Sequence, residues 1–134
     1  YDETAVAKQK DLIDKLHKRG AKVLMSTHIH KFTPADEVLK IALAHQSRGA
    51  DISKIVVGAE NMQQQLENLK MINMLKEKLD VPFLFLSGGE CKILRRIGGE
   101  LGCCMYLCVY EYDNFATPLQ PLLKKVKAIR DNMD

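Results

Sequence analysis

The chain has 134 residues, of which 46% are hydrophobic and 28% charged, a balance that excludes intrinsic disorder and allows one buried core. Twenty basic against 17 acidic side chains leave +3 scattered along the sequence, and aromatics make up only 6%, so no basic, aromatic-lined patch points to a nucleic-acid partner. No uncharged apolar run reaches about 18 residues, the length a membrane-crossing helix needs.

The predicted elements alternate between two periods. Residues 3–19 place Val6, Ile13 and Leu16 at helical spacing, and Gly20 supplies a stop. KVLMST (22–27) is an apolar run of strand length. Thr33 is the expected N-cap of a second helix with Pro34 at its first position, and that helix runs through Val38, Leu39, Ala42 and Leu43 to Gly49. ISKIVVG (52–58) is a second strand, rich in β-branched residues. Asn61 caps a third helix whose apolar stripe is Met62, Leu66, Leu69, Ile72, Leu75 and Leu79. The third strand lies at 82–87, with Pro82 at its start, where a missing N–H is tolerable. Gly88 and Gly89 turn the chain into a helix near 90–101, CMYLCVYEY gives a fourth strand at 104–111, and DNFATPLQP leads to a last helix with Leu122, Val126 and Ile129.

Continuous apolar strands, each followed by a helix, predict an α/β fold with a parallel sheet. Four such βα units in a single domain, 1–134, make either a small open sheet or, as the regular unit lengths and polar strand ends favour, half of a (β/α)8 TIM-type barrel, which needs about 250 residues when complete. Right-handed crossovers then bring every strand's C-terminal end to one rim. A half-barrel leaves strand edges unpaired, so it must meet a missing N-terminal half, pair with a second copy as a homo-oligomer, or open into a flat sheet. The four cysteines (Cys91, Cys103, Cys104 and Cys108) all fall in the last third, without zinc-ligand spacing, and read as reduced, buried thiols of a cytoplasmic protein. No metal ligand set is predicted. No secretory signal pattern opens the sequence, and a start at Tyr1 fits a processed protein or a piece of a longer one.

Chemistry in parallel α/β folds collects at strand C-termini. Those ends offer Ser26, Thr27 and His28, with His30 beyond, then Ser87, and after the fourth strand Thr117 and Gln120. Lys54 lies inside the second strand, where burying an ammonium is costly unless it is paired or neutral. A neutral amine attacks a carbonyl to form a Schiff base. The alternative is a strand-end lysine paired with Asp51 or Glu60, and alternation alone does not say which strand face is inside. His28 reads either as a hydrogen-bonded structural residue or as a base for a proton beside the imine.

Four segments in order resemble the type I 3-dehydroquinate dehydratases. VLMSTHIHKFTP is similar to the family's S-x-H-D-F-x-x-T-P, with Ser26, His28, Thr33 and Pro34 in place; Ile29 and His30 stand where the family has Asp and Phe. GADISKIVV (49–57) resembles GADIxKIA, which carries the imine-forming lysine, here Lys54. FLSGGECKILRRIGGELG (85–102) looks like M-S-M-x-x-x-G-x-x-S-R-L-x-G-E-x-F-G, matching Ser87, Arg96 and the Gly99–Glu100 pair, although the second Met of M-S-M is Gly88 here. ATPLQP (116–121) is similar to S-A-P-G-Q with one extra residue, so Gln120 takes the glutamine's place.

The resemblance covers the family's C-terminal half. It implies a lyase of the shikimate pathway that works without a cofactor on a small carboxylated ketone, dehydrating 3-dehydroquinate to 3-dehydroshikimate through a Schiff base. Lys54 would be the nucleophile, His28 the general acid/base and Arg96 the carboxylate clamp. Gln120, Ser87 and Thr117 would hold hydroxyls. Two other readings stand beside it: a non-catalytic, self-associating half-barrel, and a class I aldolase-like lyase acting on another carboxylated ketone.

Overall fold

A computed structural model describes the backbone of residues 3–133 and the side chains of residues 5–133. The elements run α1 (Glu3–Lys18), β1 (Leu24–His28), α2 (Ala35–Ser47), β2 (Ile52–Val57), α3 (Met62–Lys78), β3 (Phe83–Ser87), α4 (Leu94–Leu101) and α5 (Leu123–Asp131). The strands form one parallel sheet in the order β1-β2-β3. The register puts Ser26 beside Lys54 and Lys54 beside Leu84, while Ile55 lies between Thr27 and Phe85.

Because side chains alternate across a strand, this register sorts the sheet into two faces. Met25, Thr27, Ser53, Ile55, Val57, Phe83, Phe85 and Ser87 share the face that bonds to the helices. There His45 of α2 meets the hydroxyls of Thr27 and Ser53 at 2.9 and 3.0 Å, and Asn68 of α3 donates to Ser87 Oγ at 2.9 Å. Phe85 is fully buried among these groups, and truncating so large a core side chain costs about 3–5 kcal/mol.

The opposite, inner face carries Leu24, Ser26, His28, Ile52, Lys54, Val56, Leu84 and Leu86. Its cover is uneven. Leu84 on β3 is 1% exposed, whereas Leu24 on β1 is 40% exposed, although both belong to the same face. Beside β3, segment 103–122 approaches the sheet: the Cys104 N–H donates to Phe83 O at 2.8 Å, and Met105 and Leu107 pack on the core.

Several expectations need correction. Residues 104–111 do not form a fourth strand; the segment is irregular, with a single parallel bridge between Val109 and Leu122. Its β propensity is high, but beside β3 the Cys104 N–H to Phe83 O bond is not continued into a ladder. Tyr110 and Phe115 accordingly stay 84% and 95% exposed. Thr33 does not cap α2: Pro34 occupies the N-cap position and the Thr33 hydroxyl donates to Lys31 O at 3.3 Å. Asn61 does cap α3, accepting from the Gln64 N–H at 3.0 Å. The buried side of α3 is Asn68, Met71, Ile72 and Leu75, while Met62 and Leu66 face out. Only Cys91 and Cys103 are buried; Cys104 is exposed and Cys108 half-buried, and all four thiols are free. No helix among the described residues is long and apolar enough to cross a membrane.

Candidate active site

Lys54 sits mid-strand on the inner face, half-buried between Ser26 and Leu84. Neither carboxylate offered to it by the sequence pairs with it. Asp51 accepts from Val23 N–H at 2.7 Å and contacts His17 Nε2 at 2.8 Å and Lys22 Nζ at 3.1 Å, contacts that hold its carboxyl far below the usual range. Glu60 is exposed beyond the end of β2, and among the described residues Lys54 has no ion-pair partner. Burial lowers the Lys54 pKa, and the Arg95 guanidinium lowers it further. An amine shifted this way spends more of its time neutral and nucleophilic at ordinary pH.

His28 lies on the same face, two residues along β1 from the serine that neighbours Lys54. Its Nε2 and Ser26 Oγ are 2.9 Å apart. Its pKa is lowered by burial first, then by Lys54, His30 and Arg95. An imidazole whose charged form is disfavoured in this way is unprotonated, and available as a base, over a wider pH range than a free one. The structure therefore brings Lys54, Ser26 and His28 together on adjacent strands about 4.8 Å apart.

The other expected residues divide. Arg96 turns away from this cluster: it is half-exposed on α4 and donates to Lys92 O at 2.8 Å. Its neighbour Arg95 is the arginine beside the amine. Arg95 is 7% exposed, and its Nε–H donates to Ser87 O at 2.8 Å. A sequence signal for this existed, because Cys91, Leu94, Arg95 and Gly98 follow the i, i+3, i+4, i+7 pattern of a buried helix side and all four are buried. Ser87 faces the helices, where its hydroxyl takes the Asn68 hydrogen bond and contacts Gly88 O at 3.3 Å, so it is not on the face of Lys54. Thr117 and Gln120 lie in the loop before α5, linked by a Gln120 N–H to Thr117 O bond of 3.0 Å. That loop reaches the rim of β3: Leu119 Cδ1 lies 3.6 Å from where a β-carbon on Gly88 would stand. Ser26 is the residue whose role beside Lys54 the sequence left unassigned. Among the described residues no group of three His, Cys, Asp or Glu side chains is arranged to hold a metal ion.

The chain matches the family model described as Type I 3-dehydroquinase over residues 2–130. It is 36% identical over 92 residues to a 3-dehydroquinate dehydratase of Alkaliphilus oremlandii, covering 67% of this chain and 36% of the relative. The corresponding enzyme of Syntrophotalea carbinolica is 34% identical over 103 residues, covering 75% and 40%. Among solved structures, a type I 3-dehydroquinate dehydratase from Clostridium difficile with covalently modified comenic acid superposes with a TM-score of 0.82 at 22% identity, over 94% of this chain and 50% of that one. A 3-dehydroquinate dehydratase from Geobacillus kaustophilus gives 0.85 at 19% identity, over 98% and 51%. The chain thus spans about half of these solved structures and 36–40% of the curated relatives. With this match along almost its whole length, the chain belongs to the type I 3-dehydroquinase family.

Proposed function

We propose that this chain carries the imine-forming half of a 3-dehydroquinate dehydratase site. The observation that carries the reading is the Lys54 amine, unpaired, with a lowered pKa, on the same sheet face as the Ser26–His28 pair. Neutral Lys54 Nζ adds to the ketone carbon of 3-dehydroquinate, and the carbinolamine loses water to give an imine. His28 takes the proton from the neighbouring carbon, and the electron pair moves into the imine to form an enamine. The enamine then expels the hydroxyl one carbon further on, which leaves as water with the proton from His28. Hydrolysis of the imine returns Lys54 and releases 3-dehydroshikimate, so one water is lost overall.

Arg95 rather than Arg96 is assigned to the substrate carboxylate, on the strength of its place beside the amine. Thr117 and Gln120 are assigned to substrate hydroxyls, since their loop approaches the β3 rim. We read the sheet and segment 103–122 as four units of a (β/α)8 barrel, which is supported by the superposition on about half of each solved chain. Completion of the bare inner face over β1 falls to an N-terminal half or to a second copy of the chain.

Borohydride reduction in the presence of 3-dehydroquinate tests the reading. The expected result is a substrate adduct mapped to Lys54 and absent from Lys54→Ala. Turnover that survives Lys54→Ala would rule out the imine route. No adduct with any carboxylated ketone would favour a non-catalytic, self-associating half-barrel, and an adduct with a different ketone only would favour an aldolase-like lyase.

A further inference from the structure

His28 has a neighbour that this scheme leaves unused. His30, just past the end of β1, is the non-glycine residue with a positive φ (64°) among the described residues. A side chain is held in that conformation only where its surroundings impose it. Here they do. The Gly58 N–H donates to Lys31 O at 2.9 Å, and a β-carbon on Gly58 would stand 2.6 Å from His30 O, so the loop lies directly on the end of β2. The turn returns the His30 ring to His28, with centroids 5.6 Å apart and planes at 73°, an edge-to-face contact.

Among the described residues, the side-chain hydrogen bond of His28 is the one with Ser26. The charged and titratable groups that act on it are Lys54 from β2, Arg95 from α4 and His30 itself; among the described residues no carboxylate pairs with it. Among the described residues, the orienting partner that a catalytic imidazole needs is therefore not an acid. We propose that His30 is a positioning residue for His28: its ring, set by the left-handed turn against Gly58, fixes the His28 imidazole with Nε2 on Ser26 and beside Lys54. This rests on His28 being the base of the proposed reaction.

The test is His30→Asn, which removes the ring while keeping a residue that tolerates positive φ. Proton NMR of the imidazoles in the full chain is the first readout. The His28 titration midpoint moves up in the variant, because a neighbour that opposes its charge is gone, and the contact between the two rings is lost. In a protein that turns over 3-dehydroquinate, kcat falls roughly tenfold with KM little changed, and the acid limb of the kcat profile shifts with the His28 midpoint. A His28 titration curve unchanged in His30→Asn overturns the proposal. Should that variant fail to fold, His30→Gly accepts the turn freely and is read in the same way. Borohydride adduct formation at Lys54 is measured alongside: its absence from the parent protein sinks the dehydratase reading, whereas the NMR titration judges His30 independently.

Discussion

The proposed exchange of roles between Arg95 and Arg96 makes a sharp stability prediction. Arg95→Met removes the guanidinium whose Nε–H bonds Ser87 O at 2.8 Å inside the protein, while keeping most of the apolar stem. A hydrogen bond from a charged group contributes about 1.5–3 kcal/mol, and leaving a buried carbonyl unpaired keeps the loss near the middle of that range. Relief of the unfavourable proximity to Lys54 offsets part of it, so the net loss is about 1–2 kcal/mol. For a chain of this size that is roughly 3–8 °C in Tm. Arg96→Met gives up a bond to Lys92 O on the surface and falls within about 0.5 kcal/mol of the parent. Urea denaturation of both variants, with Lys54 acylation rates followed against pH, decides the matter. In Arg95→Met the Lys54 amine regains a higher pKa and reacts more slowly at neutral pH. Equal costs for the two variants, or an unchanged Lys54, would refute the placement.

Two other measurements address the helix-side face. His45 is buried between Thr27 and Ser53, and its pKa is pushed below the ordinary 6.5 by burial and then by Arg48. Above pH 6.5 both folded and unfolded chains leave it neutral, and its contribution is complete. As pH falls below 6.5 the unfolded chain binds the proton first, so stability drops by up to about 1.4 kcal/mol per pH unit until the folded imidazole also protonates. Urea midpoints from pH 7.5 to 5 should show this slope, and His45→Gln should flatten it; an identical slope in the variant contradicts the assignment. Asn68→Ala strips donors from Gly58 O at 3.0 Å and Ser87 Oγ at 2.9 Å, both buried, and should cost about 2–3 kcal/mol in the same assay. A loss under about 0.5 kcal/mol would mean that those groups find other partners.

Much of the scaffold is legible in the sequence because apolar runs and end signals agree there. The three strands of the ladder and the α3 cap at Asn61 fall where period and capping chemistry put them, and helices lie between them, although α2 starts without the Thr33 cap and α4 begins at Leu94 rather than near 90. The fourth strand fails because CMYLCVYEY reports β propensity, and propensity alone does not supply a ladder: beside β3 the segment makes the Cys104 N–H to Phe83 O bond without continuing as a strand. The sides of the sheet are invisible to period alone: Ser87 and Lys54 both read as polar residues in strands, and only the register sends one toward α3 and the other to the inner face. Motif spacing favours Arg96 for the carboxylate, whereas the buried position of Arg95 beside Lys54 was legible only in the stripe Cys91-Leu94-Arg95-Gly98. His30 escaped notice as a positioning residue because its role depends on a positive φ and on the absence of a β-carbon at Gly58, neither of which periodicity encodes.

The proposed chemistry needs a Lys54 amine that is easier to deprotonate than an ordinary lysine. Competitive acylation with trace acetic anhydride across pH 7–11, read peptide by peptide by mass spectrometry, measures this for Lys54 against the well-exposed Lys22 and Lys10 in the same molecule. The expected result is a Lys54 titration displaced to lower pH than either. A Lys54 that titrates with the surface lysines, or above them, would contradict the account.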